Sequence, residues 1–197
     1  MKALLVVDVQ YDFCPGGALG VADGDAIVPG INARMDAYDL VVVTQDWHPA
    51  NHHSFASQHD GHDPYDMIDM PYGPQVLWPD HCIQGSRGAA LHDDLNTDRA
   101  ALVIRKGMTP TIDSYSAFLE NDKRTTTGLH GFFNDKGVTE IAIVGLATDF
   151  CVAYSAMNAS AYGYRVKVIQ SLTRAIDLDG TLNAALTQMT GAGVEIV

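Results

Sequence analysis

A three-layer α/β domain built around a parallel sheet is the fold class that this sequence predicts. Two observations carry the expectation. Short apolar runs rich in β-branched residues recur along the chain, and longer amphipathic segments separate them. Strands that alternate with helices reach their parallel neighbours by crossovers, which place helices on both faces of the sheet.

In chain order, the first run is Leu4 to Val7, which stops at Asp8. A helix is expected near Ala26–Tyr38, then a second strand over Leu40 to Thr44, Leu-Val-Val-Val-Thr. No period is visible from Pro49 to Leu95, where His, Asp, Pro and Gly give loop chemistry. A loop of that length in a compact domain is functional or disordered, and the pairs Pro71-Tyr72 and Trp78-Pro79 favour an ordered flap. Ala101 to Ile104 is the third strand. After it come helix Leu129–Lys136, strand Ile141 to Val144, helix Asp149–Tyr162, strand Val166 to Ile169, helix Gly180–Thr190 and strand Val194 to Val197. The 197 residues suit a single domain, 1–197, with 49–95 as its capping loop region.

Composition narrows the function classes. Hydrophobic residues at 47% and charged residues at 18% exclude a disordered chain. A net charge of -12 without a Lys/Arg cluster argues against a nucleic-acid partner. The apolar run after Met1 is too short for a signal peptide or a membrane span, and Asp8 interrupts it. Cys14, Cys82 and Cys151 are an odd set without framework spacing, so a reduced, cytoplasmic compartment is expected rather than a disulfide scaffold. Whether the chain forms a homo-oligomer is left open.

Functional groups in such sheets gather at the carboxyl ends of the strands. Asp8 ends the first strand, Asp46 and His48 follow the second, Lys106 the third and Cys151 the fourth. In Gly145-Leu146-Ala147-Thr148-Asp149-Phe150-Cys151 a strand makes a tight turn into a helix, with Thr148 or Asp149 as N-cap. First-turn amides there would lower the Cys151 thiol pKa and donate to an oxyanion. Asp8 in an apolar run needs a partner, and Lys106 offers one. Asp8 would then shuttle the thiol proton to a leaving amine while Lys106 orients it. A buried structural cysteine and a buried structural ion pair are the plain alternatives.

Asp46-Trp47-His48 places two ligand types on one face just beyond a strand, and His81 offers a third. One carboxylate and two imidazoles suit zinc, iron or manganese with open positions for water or substrate. Histidines 52, 53, 59, 62, 92 and 130 dilute that signal, because a His-rich loop is also an ordinary solvated surface. Phe13, Trp47, Trp78 and Tyr115 offer faces on which a flat aromatic substrate would stack.

The segments Val7 to Cys14, Thr44 to His52, Leu77 to Cys82, Arg105-Lys106-Gly107 with Asp113 to Phe118, and Val144 to Val152 together resemble the nicotinamidases of the isochorismatase-like cysteine hydrolase superfamily. The Asp…Lys…Cys set belongs to the superfamily, while D-W-H-P with W-P-x-H-C is specific to its nicotinamidases. The resemblance implies a six-stranded parallel sheet of order 3-2-1-4-5-6. It also implies a catalytic triad of Asp8, Lys106 and Cys151, and an oxyanion site from the Ala147 and Cys151 amides after a cis Leu146–Ala147 bond. Metal ligands Asp46, His48 and His81 for one divalent ion follow from it, zinc first and iron or manganese as alternatives. A fourth ligand would fall at Ser54, with His52, His53 or water as alternatives. The activity implied is conversion of nicotinamide, and of pyrazinamide, to acid and ammonia through a thioester on Cys151, with Phe13, Trp78 and Tyr115 around the ring. An amidase for N-carbamoyl compounds or maleamate, a metal-first hydrolase and a silent binding protein are the rival readings.

Overall fold

The computed structural model describes residues 1–197. Its strands are β1 (Lys2–Val7), β2 (Leu40–Asp46), β3 (Met67–Met70), β4 (Gly73–Val76), β5 (Leu102–Lys106), β6 (Glu140–Leu146), β7 (Arg165–Arg174) and β8 (Glu195–Ile196). The α-helices are α1 (Val28–Met35), α2 (Leu129–Asp135), α3 (Ala153–Ala161) and α4 (Thr181–Gly191). Six strands form one parallel sheet in the order β5-β2-β1-β6-β7-β8. Numbered among themselves, these six give the order 3-2-1-4-5-6 that the resemblance implies.

The apolar runs look continuous because both faces of the sheet are covered. Side chains of β1 alternate between two cores: Ala3, Leu5 and Val7 face one, Leu4 and Val6 the other. The first core receives Leu129 and Phe133 of α2, Ala153, Ala156 and Ala159 of α3, and Ala185 and Met189 of α4. Alanines on α3 let that helix lie close to the strands. The second core receives Val28, Ile31 and Met35 of α1, spaced for one helical face, together with Phe13 and Trp78 from the loops.

Four elements differ from expectation. The helix expected over Ala26–Tyr38 is α1 alone, preceded by a 3₁₀ turn at Asp25–Ile27. The strand expected to end at Ile169 runs on to Arg174, because its pairing with β6 jumps from Ile143↔Val168 to Gly145↔Thr173 across a bulge. Residues 49–95, expected without a period, contain the antiparallel hairpin β3–β4, whose strands are too short and too mixed for one to be visible. The helix expected from Asp149 begins as a π-helical turn, Thr148–Val152, before α3. Gly145 is the one residue type that fits beside that turn: its φ is 113°, and a Cβ there would stand 2.1 Å from the Val7 carbonyl oxygen.

Candidate active site

Adjacent parallel strands end together, so register places the polar groups side by side. Asp46 and Lys106 are register partners at the ends of β2 and β5, and Asp8 is the residue after β1. Lys106 Nζ lies 2.6 Å from Asp46 Oδ1 and 2.9 Å from Asp8 Oδ2, and donates to the Ser114 carbonyl at 2.8 Å. Cys151 Sγ stands 3.5 Å from the same nitrogen. Thr44 Oγ1 donates to Asp8 Oδ1 at 2.5 Å and accepts from the Asp8 amide at 3.0 Å. The expected Asp8, Lys106 and Cys151 are thus brought together, all buried.

Sequence reasoning paired Lys106 with Asp8 alone. In the structure the ammonium is shared between two carboxylates, and Asp46 is the nearer. Burial by itself would lower the Lys106 pKa, but Asp46 and Asp8 outweigh it and hold the group well above the usual lysine range. Burial pushes Asp8 up, against the pull of Lys106. Asp46 is also penalised by burial, yet Lys106 and then His48 hold it well below the usual carboxylate range.

The expectation of a lowered Cys151 pKa is overturned. Burial pushes the thiol well above its ordinary value; Lys106 pulls it down, while Asp8 and Asp46 push it further up. Nor do Thr148 or Asp149 cap the turn, whose N-cap is Ala147 without a side-chain bond. The Asp149 carboxylate points elsewhere. It accepts from the Ile176 amide (3.0 Å), the Asp177 amide (2.8 Å) and Thr181 Oγ1 (2.5 Å). The Leu146–Ala147 peptide bond is cis, and the Ala147 carbonyl accepts from the Phe150 and Val152 amides.

Asp46, His48 and His81 also converge, with one donor atom from each in mutual reach. His48 Nδ1 sits 2.9 Å from the Gly107 carbonyl and His81 Nδ1 2.8 Å from the Pro79 carbonyl, so each ring carries its proton on Nδ1 when neutral. Their Nε2 lone pairs then face Asp46 Oδ2, at 3.4 Å and 3.9 Å. His48 Nε2 is buried without a hydrogen-bond partner. Three electron-pair donors turned on one point, with no donor hydrogen between neutral rings and carboxylate, suit a divalent cation. Gly107 makes room for the His48 ring: a Cβ there would lie 2.4 Å from its Cε1. Burial, and then His48, lower the His81 pKa to about 4; burial would lower His48 too, but Asp46 raises it.

Among the candidates for a fourth ligand, Ser54 Oγ lies 2.7 Å from His52 Nδ1, and His52 Nε2 lies 3.3 Å from the Ile112 carbonyl. Both atoms already have partners. The His53 ring sits apart, edge-on to His59.

A narrow pocket lies between the two clusters. Cys151, Asp46 and His81 open onto it, and Phe13, Trp78 and Tyr115 line it as expected. Trp47 does not line it, and its ring carries the Arg105 guanidinium instead. Sequence reasoning missed Phe150, whose ring meets Trp78 edge-on at 4.9 Å, and Ile176 and Asp113 on the same walls. It also missed Gln75, which donates to Tyr115 Oη (3.0 Å) and Asp113 Oδ2 (2.7 Å) and so fixes that wall. Phe150 beside Cys151 and Asp113 beside Tyr115 were signals in the sequence; Ile176 is distant from the residues it meets.

The isochorismatase domain family matches residues 2–197. A nicotinamidase of Acinetobacter baylyi is 52% identical over 193 residues, which are 98% of this chain and 90% of that protein. The solved nicotinamidase/pyrazinamidase of Acinetobacter baumanii superposes with a TM-score of 0.98 at 50% identity, covering 100% of this chain and 95% of that one. A pyrazinamidase of Pyrococcus horikoshii, solved in complex with zinc, superposes with a TM-score of 0.79 at 34% identity, covering 100% and 98%.

Proposed function

The chain belongs to the isochorismatase family, and from that premise we propose that it is a nicotinamidase, converting nicotinamide to nicotinate and ammonia and accepting pyrazinamide. The observation that carries the reading is one aromatic-walled pocket onto which Cys151, Asp46 and His81 open, with Asp8 and Lys106 buried beside Cys151 and His48 beside Asp46 and His81.

The distances support the following chemistry. Burial raises the Cys151 thiol, so its proton leaves as sulfur attacks the carboxamide carbon, and Asp8 is the base beside it. The carbonyl π pair moves to oxygen, where the Ala147 and Cys151 amides stabilise it. Asp8 returns the proton to nitrogen, the C–N bond breaks, and ammonia leaves a thioester on Cys151. Asp8 then deprotonates the water that releases nicotinate and restores the thiol. Lys106, anchored by Asp46 and the Ser114 carbonyl, keeps Asp8 oriented throughout.

A divalent ion, zinc first and iron or manganese as alternatives, would be held by Asp46, His48 and His81, and when bound supplies a Lewis-acid contact for the ring nitrogen. Phe13, Trp78 and Tyr115 would sandwich the ring. Three unpaired cysteines support a reducing, cytoplasmic setting, and no helix is long and apolar enough to cross a membrane. The cellular role is pyridine nucleotide salvage, as part of NAD recycling.

Ammonia release over a panel of amides tests the reading. The purified protein should turn over nicotinamide, and Cys151→Ala should lose roughly 10³-fold or more of kcat while still binding the substrate. Substantial residual turnover would move the chemistry away from a covalent thioester.

A further inference from the structure

Asp149 is a buried carboxylate for which the mechanism has no use, although it lies two residues from Cys151 in the same turn. Its three hydrogen bonds all go to one stretch, the connection from β7 into α4: the Ile176 amide, the Asp177 amide and the Thr181 hydroxyl. That connection is bent. Asp177 and Asp179 both have positive φ, 54° and 50°, a region that side chains favour little. Ile176, the residue Asp149 grips, lines the catalytic cavity together with Phe150, Ala147 and Cys151. A single carboxylate therefore ties the Cys151 turn to another stretch of the pocket wall.

We propose that Asp149 is a positioning residue that holds Ile176 against the substrate ring and so sets how large a ring the cavity accepts. A carboxylate suits this task because it accepts three donors at once. Asparagine has the same shape but presents an NH₂ group where one or more of those donors point, leaving the Ile176 or Asp177 amide without an acceptor. Released from Asp149, the connection can relax its positive-φ residues, and Ile176 withdraws from the wall.

The inference rests on the amide-hydrolase reading, so turnover of nicotinamide by the unaltered protein is measured first; its absence would sink that reading by itself. The test of Asp149 is then steady-state kinetics on nicotinamide and its four ring-methylated derivatives. Asp149→Asn should raise KM for nicotinamide more than it lowers kcat. At least one methylated ring should gain about tenfold in kcat/KM relative to nicotinamide, the low end of what one methyl group decides in an apolar pocket. Ile176→Ala should shift selectivity toward the same derivative. In the double variant the two effects should not add, since Asp149 acts through Ile176. Thr181→Val removes one of the three donors with little change of shape, and should shift selectivity in the same direction by less, which keeps the test open if Asp149→Asn folds poorly. Loss of kcat with selectivity unchanged in Asp149→Asn and Thr181→Val, or additive effects in the double variant, would overturn the proposal and leave Asp149 a support of the Cys151 turn alone.

Discussion

Two buried polar clusters share the carboxyl edge of this sheet, and they solve the problem of burial differently. Around Lys106, one ammonium stands between the carboxylates of Asp8 and Asp46, with the Ser114 carbonyl and the Thr44 hydroxyl completing the hydrogen bonds. The one ammonium comes from within the chain and is set against two carboxylates. Around Asp46 Oδ2, two imidazole lone pairs and a carboxylate oxygen face one another with no cation of the protein's own among them. The first cluster finds its counter-charge within the chain. The second has the donor set that a divalent cation would complete. Asp46 belongs to both, through different oxygens, which is why neither is readable in isolation.

Removing the internal cation is the harshest way to break this contrast. Lys106→Met leaves two buried carboxylates without their counter-charge, and should cost about 3–5 kcal/mol of stability at neutral pH along with turnover. Denaturant melts would measure it. His48→Ala should instead keep the fold and lose bound metal, read by elemental analysis. If the two variants lost metal and stability in equal measure, the clusters would not be distinct.

The next effect concerns what the outside cation reads. Benzamide has carbon where nicotinamide and pyrazinamide carry the ring nitrogen. Leaving that contact unmet should cost about 2–4 kcal/mol, roughly a 30- to 1,000-fold loss in kcat/KM. Chelation should then reduce turnover of nicotinamide far more than that of benzamide. Equal rates on the two amides in the metal-loaded protein would show that the ring nitrogen is not read.

A smaller effect is expected from acid. Burial and His48 lower the pKa of His52 and His81 to about 4 each. Unfolded imidazoles bind protons near pH ~6.5. As pH falls from about 6.5 toward about 4, the unfolded chain takes up protons that these folded rings refuse, so the metal-free protein loses stability through that window. His48, whose pKa is raised, acts in the opposite sense and is outnumbered. The melting temperature in chelator should fall by a few degrees between about pH 7 and pH 5, at roughly 2–4 °C per kcal/mol for a chain of this size. A rise on acidification would mean that His48 governs the cluster.

The amino-acid order by itself determined the parallel sheet and the identity of the groups at its edge. Runs such as Leu4 to Val7 and Leu40 to Thr44 are apolar on both faces, and an Asp or Lys that ends such a run stands out against it. Local pattern also marked Trp78 and Tyr115, which line the pocket. Tertiary structure decided what depends on partners far away in the chain. The two-sided engagement of Asp46 comes from its register with Lys106, 60 residues on. The hairpin within the flap, the π-helical turn and the reach of Asp149 to Ile176 leave no periodic trace. The state of Cys151 was misjudged for the same reason. Sequence exposes a turn whose amides favour a thiolate, but burial and two nearby carboxylates raise the thiol, and those surroundings exist only once the strand ends have come together.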